Sequence, residues 1–229
     1  MKASHPYKSK ILTVYTMKQF IFTTSLMLMS IFLFGQSTDK IVTVKQNLEP
    51  FNKISTLSSI NVYVQEGPTQ TVEVKGESEQ IDRVMLTVEK NKLNITLKKG
   101  ESRSYKSNIT VYITIPEITS INSAGSGDIH VKNFTSGTKL LLSINGSSNV
   151  SIDNSNFDDA NISINGSGDI KALDTKLRAA SVAINGSGNV TVNCTEKLSV
   201  MIAGSGNVSY LGQAHLEKSI MGSGIVKHL

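Results

Sequence analysis

Few side chains in this chain have the type and spacing for chemistry. Asp153, Asp158, Asp159 and Asp174 gather in one stretch, and two carboxylates flanking a sugar bond can cleave it by acid/base action. Asp158, Asp159 and Asp174 are the set on which a polysaccharide-active lyase or hydrolase would rest. A solvated acidic loop accounts for the same residues more simply. His130, His215 and His228 are scattered over separate repeat units and form no catalytic constellation. Cys194 is the only cysteine, so no intrachain disulfide can form. It follows Val190 and Val192 and reads as a small, half-buried hydrophobe at a corner.

A metal or nucleotide role finds little purchase. Gly-Ser-Gly-Asp is like the Gly/Asp-rich coils that hold calcium. Here the carboxylate stands only at Asp128 and Asp169, with Asn at 149, 189 and 207, and the period differs. Gly-x-Gly lies between strands, with no following helix or Lys, so it is not a phosphate loop. Sequons such as Asn145-Gly146-Ser147 arise from the repeated motif itself. No cofactor and no metal are implied.

These residues sit in a repeat. Its copies begin at Gly125, Gly146, Gly166, Gly186, Gly204 and Gly222, in steps of 21, 20, 20, 18 and 18 residues. A second glycine follows at Gly127, Gly168, Gly188, Gly206 and Gly224, while Ser148 takes that place in the second copy. A period near twenty means one solenoid coil per copy. Two residues before the first Gly stand Ile144, Ile164, Ile184, Ile202 and Ile220. Four before it stand Leu142, Ile162, Val182, Val200 and the outlier Lys218. Apolar residues resume four and six places after it, as in Val150/Ile152 and Val190/Val192. A period of two marks strands with one buried face. Each unit is two short strands joined by a Gly-Ser-Gly corner, and glycine accepts a positive φ there. Stacking sets Ile on Ile at roughly 4.8 Å, so five steps give about 24 Å. Asn145, Asn165 and Asn185 are expected to form a ladder.

The fold expected is all-β: a parallel β-helix-like solenoid of 18–21 residues per coil, preceded by an N-terminal β-sheet or capping segment. Residues 41–117 alternate without a repeat. Ile60-Asn61-Val62-Tyr63-Val64 and Thr71-Val72-Glu73-Val74 read as strands, and 77–85 as a short helix. Leu86-Thr87-Val88-Glu89 and Leu93-Asn94-Ile95-Thr96-Leu97 read as a hairpin turning at Lys90-Asn91. Ile109 to Ile115 is the strongest strand, and 99–107 reads as a solvated loop. Polar groups, Lys218 and His228 among them, end the far coil.

The first 36 residues differ. Met17-Lys18-Gln19 opens a basic start, 20–34 is nearly all apolar, and Gly35-Gln36 leads into polar sequence. This reads as a secretory signal peptide, too short for a membrane span. Residues 1–16 read as an upstream extension before an initiator at Met17. The net charge of +5 owes much to this leader. Four of the 23 basic residues lie there and no acid does, which leaves 19 against 18 acids, or +1. A nearly neutral chain speaks against nucleic-acid binding through a broad basic face.

Together the leader, Phe51-Asn52-Lys53-Ile54, Ile60 to Gly67, Leu93 to Leu97, Ile113-Thr114-Ile115-Pro116-Glu117-Ile118, and the Gly-Ser-Gly-[Asp/Asn]-[Ile/Val] units resemble the auto-transporter adhesin head GIN domain family (DUF2807). The resemblance covers 44–226. It implies an exported, β-helix-like protein of the Gram-negative envelope, whether periplasmic, outer-membrane-associated or extracellular. No run of ten-residue lipid-facing strands follows the repeats, so the expectation is a passenger-like head rather than a self-translocating chain.

The expected organisation is a leader (1–36), an N-terminal β segment (37–117) and the repeat solenoid (118–229), the last two forming one continuous head GIN-type domain. The expected function is non-catalytic: a β-helical face that binds a glycan or an envelope or surface protein, with no transmembrane segment in the mature chain. The alternatives are a polysaccharide-active enzyme and an envelope structural or stress-related partner protein.

Overall fold

A computed structural model describes residues 40–98 and 108–229. The leader reading (1–36) and the loop reading (99–107) lie outside the described residues. The described residues are strand almost throughout, and 40–229 forms a compact unit.

The repeat strands are β8 (Ser120–Ser123), β9 (Ile129–Lys132), β10 (Gly137–Gly146), β11 (Val150–Asp153), β12 (Ser155–Gly166), β13 (Ile170–Gly186), β14 (Asn189–Gly204), β15 (Asn207–Leu211), β16 (His215–Gly222) and β17 (Ile225–His228). They stack as a parallel β-solenoid. One sheet carries β8, β10, β12, the second half of β13, the second half of β14, and β16 in register. The other carries β9, β11, the first halves of β13 and β14, then β15 and β17. Ile144, Ile164, Ile184 and Ile202 pair in sequence down the stack and are buried, while Ile220 on the last coil is half-buried. Lys218 pairs with Val200 on the open edge strand and is exposed.

The corners show why glycine recurs. At Gly186 φ is +140°, a backbone that side chains rarely adopt. At Gly188 an added Cβ would lie 2.2 Å from the carbonyl oxygen of Gly168 on the coil below. Coil-to-coil bonds such as Ser187 N–H to Gly166 O (2.9 Å) tie the corners together. Ser148 is buried in place of the second glycine, and its hydroxyl meets Ser123 Oγ at 2.6 Å.

A further corner, unmarked by Gly-Ser-Gly, lies at Asn133, Asn154 and Asp174. Asn133 and Asn154 take positive φ (68° and 46°), which Asn tolerates. The stretch 173–175 has no counterpart in the next coil, where the register jumps between Ala172 and Lys176. Loss of that corner, offset by one residue gained between Cys194 and Lys197, shortens the step from 20 to 18 residues.

The N-terminal segment holds β1 (Ile41–Gln46), β2 (Lys53–Thr56), β3 (Asn61–Glu66), β4 (Thr71–Glu77), α1 (Ser78–Ile81), β5 (Val84–Glu89), β6 (Lys92–Leu97) and β7 (Thr110–Ile115). Its coils do not follow chain order. β2 lies between β6 and β8, and β3 between β7 and β9, all parallel. β5 then closes one sheet antiparallel to β6, and β4 and β1 close the other. The helix is shorter than the expected 77–85: Val84 and Met85 instead pair with Leu97 and Thr96, and tertiary pairing overrides local propensity. Lys90 and Asn91 turn the β5–β6 hairpin with positive φ at both positions, the geometry of a type I′ turn.

Candidate ligand-binding face

Two side-chain ladders line the Gly-Ser-Gly corners. Asn165 Nδ2 donates to Asn145 Oδ1 and Asn185 Nδ2 to Asn165 Oδ1, each at 3.0 Å. A second ladder runs through Asp128, Asn149, Asp169, Asn189 and Asn207, with two acids and three amides. Asp169 Oδ1 accepts from both the backbone and the side chain of Asn189. The two carboxylates are spent on neighbouring amides, two coils apart. Among the described residues no group of three or more His, Cys, Asp or Glu could hold a metal ion.

Of the three aspartates weighed for catalysis, Asp158 and Asp159 both lie near Arg178, whereas Asp174 is bonded to a different corner. Asp159 accepts from Arg178 Nη2 at 2.8 Å, and Arg178 Nη1 donates to Glu196 at 3.1 Å. The Glu196 hydrogen bond, then the charge of Asp159, hold the Arg178 guanidinium above its ordinary value. Asp174 accepts the backbone N–H of Asn154 at the corner that lacks Gly-Ser-Gly. Asp158 lines an open cavity of about 460 Å³ beside Lys176 and Arg178. Cys194 is fully buried, and desolvation pushes its thiol up. His228 Nε2 lies 2.8 Å from Gly212 O and packs edge-on against Tyr210, while His215 opens β16, exposed.

A different set of side chains converges on the outer face of the second sheet. Val62/Val64, Val111/Ile113 and Ile129/Val131 turn inward, so their alternates on β3, β7 and β9 turn outward. Strand register then stacks Tyr112 on Tyr63 with ring centroids 5.4 Å apart, and Tyr63 on His130 at 4.5 Å. His130 Nδ1 meets Ser151 Oγ at 2.8 Å on the next strand. Two places along, Thr114, Gln65 and Lys132 form a parallel row, and Gln65 Nε2 donates to Thr114 Oγ1 at 3.3 Å. Between the rows runs a groove of about 130 Å³. Tyr63 is 39% and Tyr112 40% exposed.

Sequence reasoning missed this column. The outward position of each tyrosine was visible in the alternation. Their meeting was not, because β3 joins partners 49 and 67 residues away in the chain.

No curated protein matches the sequence. Solved structures share the fold. A "putative adhesin" from Bacteroides fragilis is 22% identical with a TM-score of 0.67, covering 83% of this chain and 97% of that one. A "putative lipid binding protein" from Parabacteroides distasonis is 23% identical with a TM-score of 0.51, covering 85% and 98%. A second P. distasonis structure, a "putative adhesin", is 18% identical with a TM-score of 0.52, covering 83% and 97%. The family model described as "Putative auto-transporter adhesin, head GIN domain" matches residues 50–214, and the chain belongs to that family, DUF2807.

Proposed function

We propose that this protein is an exported, non-catalytic surface protein of adhesin type that holds a rigid β-solenoid face toward a glycan or protein ligand. The supporting observation is the outward Tyr112–Tyr63–His130 column, an exposed aromatic feature on a scaffold whose other apolar residues are mostly interior. Solenoid faces serve as extended binding surfaces, and aromatic residues with polar tips are favoured at interfaces. The family's adhesin name points the same way. Cell fractionation tests export, and retention of the purified protein on envelope fractions, host cells and matrix-coated surfaces tests attachment. A protein that stays in the cytoplasm and attaches to none of these surfaces overturns the reading.

The open cavity holding Asp158 favours a second reading, a polysaccharide-active enzyme. Reducing-end release from acidic and neutral glycans tests it. A rate unchanged in the triple variant Asp158→Asn, Asp159→Asn, Asp174→Asn ends it.

A further inference from the structure

We infer that the groove between the Tyr112–Tyr63–His130 column and the Thr114–Gln65–Lys132 row is a subsite for an acidic sugar unit of a glycan, an inference that rests on the adhesin-type reading above. Four observations lead there.

The first is location. β3 lies in the middle of a sheet, hydrogen-bonded to β7 on one side and β9 on the other. Its backbone donors and acceptors are spent in those ladders. A peptide strand that binds by main-chain pairing needs a free sheet edge, so a ligand here is read by side chains alone.

The second is ring orientation. The interplanar angles are 21° and 15°, and the centroid spacings are close to the strand spacing. The rings therefore stack face to face across the strands and turn their edges toward the groove. Aromatic edges carry the positive end of the ring quadrupole. They suit the lone pairs of hydroxyl and carboxylate oxygens.

The third is charge. The groove lining contains Lys132 and His130 and no carboxylate. Lys132 has no ion-pair partner among the described residues. The nearest acid beside Tyr112 in register, Glu73, is paired with Lys45 at 3.3 Å. Asp153 follows Lys132 in register, forms no ion pair with it and lies outside the groove lining. The site is complementary to one negative group.

The fourth is hydrogen-bonding capacity on a scale that fits one ring. Gln65 is oriented by Thr114, which leaves its amide oxygen and one N–H for a ligand. His130 uses Nδ1 on Ser151, which leaves Nε2. Two phenols add a donor and acceptor each. A groove of about 130 Å³ is well below the roughly 300–1,000 Å³ of cavities that enclose a drug-sized molecule. It takes one ring of a longer chain, with the remainder lying over the sheet.

The test uses the full chain against immobilised uronate, sialate and sulfated oligosaccharides, with oligogalacturonate, its methyl ester and a neutral maltooligosaccharide compared by calorimetry. The wild type is expected to bind at least one acidic probe and to prefer it over its neutral counterpart. Tyr63→Ser with Tyr112→Ser should weaken binding by about tenfold or more, the loss of an anchoring aromatic pair. Lys132→Gln should erase the preference for acid over neutral sugar. Tyr63→Phe keeps the stack and isolates the hydroxyl. Met201→Ser, on the opposite sheet, should leave binding unchanged, and circular dichroism checks each fold. Failure of every acidic probe to bind overturns the subsite. So does binding that survives the tyrosine and lysine changes, although attachment of those variants to cell surfaces would leave the adhesin-type reading standing. Absence of both glycan binding and surface attachment overturns the two together.

Discussion

Gly188→Ala measures what the corner contributes. The added Cβ would sit 2.2 Å from Gly168 O and 2.9 Å from Ile164 Cγ2, whereas ordinary contact begins at 3.4 Å. The oxygen belongs to backbone, so the coils must part by about 1.2 Å at this point (3.4 minus 2.2). The adjoining bond from Ser187 N–H to Gly166 O, now 2.9 Å, would stretch to about 4.1 Å and break. Losing it costs about 1 kcal/mol, and the overpacking strain costs about 1–3 kcal/mol more. Against this, alanine stiffens the unfolded chain and returns about 0.4–1 kcal/mol. The net is a loss of about 1–4 kcal/mol. At about 2–4 °C per kcal/mol for a unit of this size, the central value lowers Tm by about 5–10 °C. Gly186→Ala should cost about 1–3 kcal/mol beyond that, because its φ of +140° is strained for any side chain. Ser187→Ala, between them and exposed, should stay within about 0.5 kcal/mol. Urea unfolding followed by circular dichroism reads all three. If Gly188→Ala matches wild type in midpoint and slope, close approach of the coils is not why glycine stands there.

Other perturbations probe separate parts of the molecule. Ile184→Ala removes a fully buried rung between Ile164 and Ile202 and should cost about 2–5 kcal/mol in chemical denaturation; a loss under about 1 kcal/mol would mean the ladder is loosely packed. Lys218→Val restores an apolar residue beside Val200 on the open edge strand, where an exposed charge opposes pairing with another chain. Sedimentation should then show more association than in wild type, and a variant that sediments as wild type does would deny Lys218 that role. The Cys194 thiol is raised by desolvation, so the folded state favours its protonated form. Its contribution is complete below the ordinary thiol value of about 8.5 and fades as pH rises through the raised one. The stability of wild type relative to Cys194→Ala should fall across that window, and a pH-independent difference would refute the shift. Asn165→Ala breaks two ladder bonds of 3.0 Å at an exposed position and should cost about 1 kcal/mol by thermal melting.

The coil was legible because its cues are local. Period-two alternation and the glycine spacing lie within twenty residues of each other, and they mark strands and corners wherever they recur. The corner without Gly-Ser-Gly was not legible. Asn133, Asn154 and Asp174 share no fixed motif, and only the positive φ values and the bonds between coils reveal it. The helix expected over 77–85 shrank to Ser78–Ile81 because Val84 and Met85 gain more from pairing with Leu97 and Thr96 than from another helical turn. Asp158, Asp159 and Asp174 stood out for their acidity, but their partners, Arg178 for one and a corner amide for another, become visible only once coils are stacked.

By itself the sequence determined an all-β solenoid, the residues that face its interior and the interval of each turn. Those follow from side-chain alternation and from where a backbone can bend. The tertiary structure alone decided the order of the coils. β2 and β3 enter between β6–β7 and β8–β9, out of chain order, because backbone donors and apolar faces left open by distant segments are satisfied there. No local pattern encodes that choice, and it is the choice that sets Tyr63 between Tyr112 and His130.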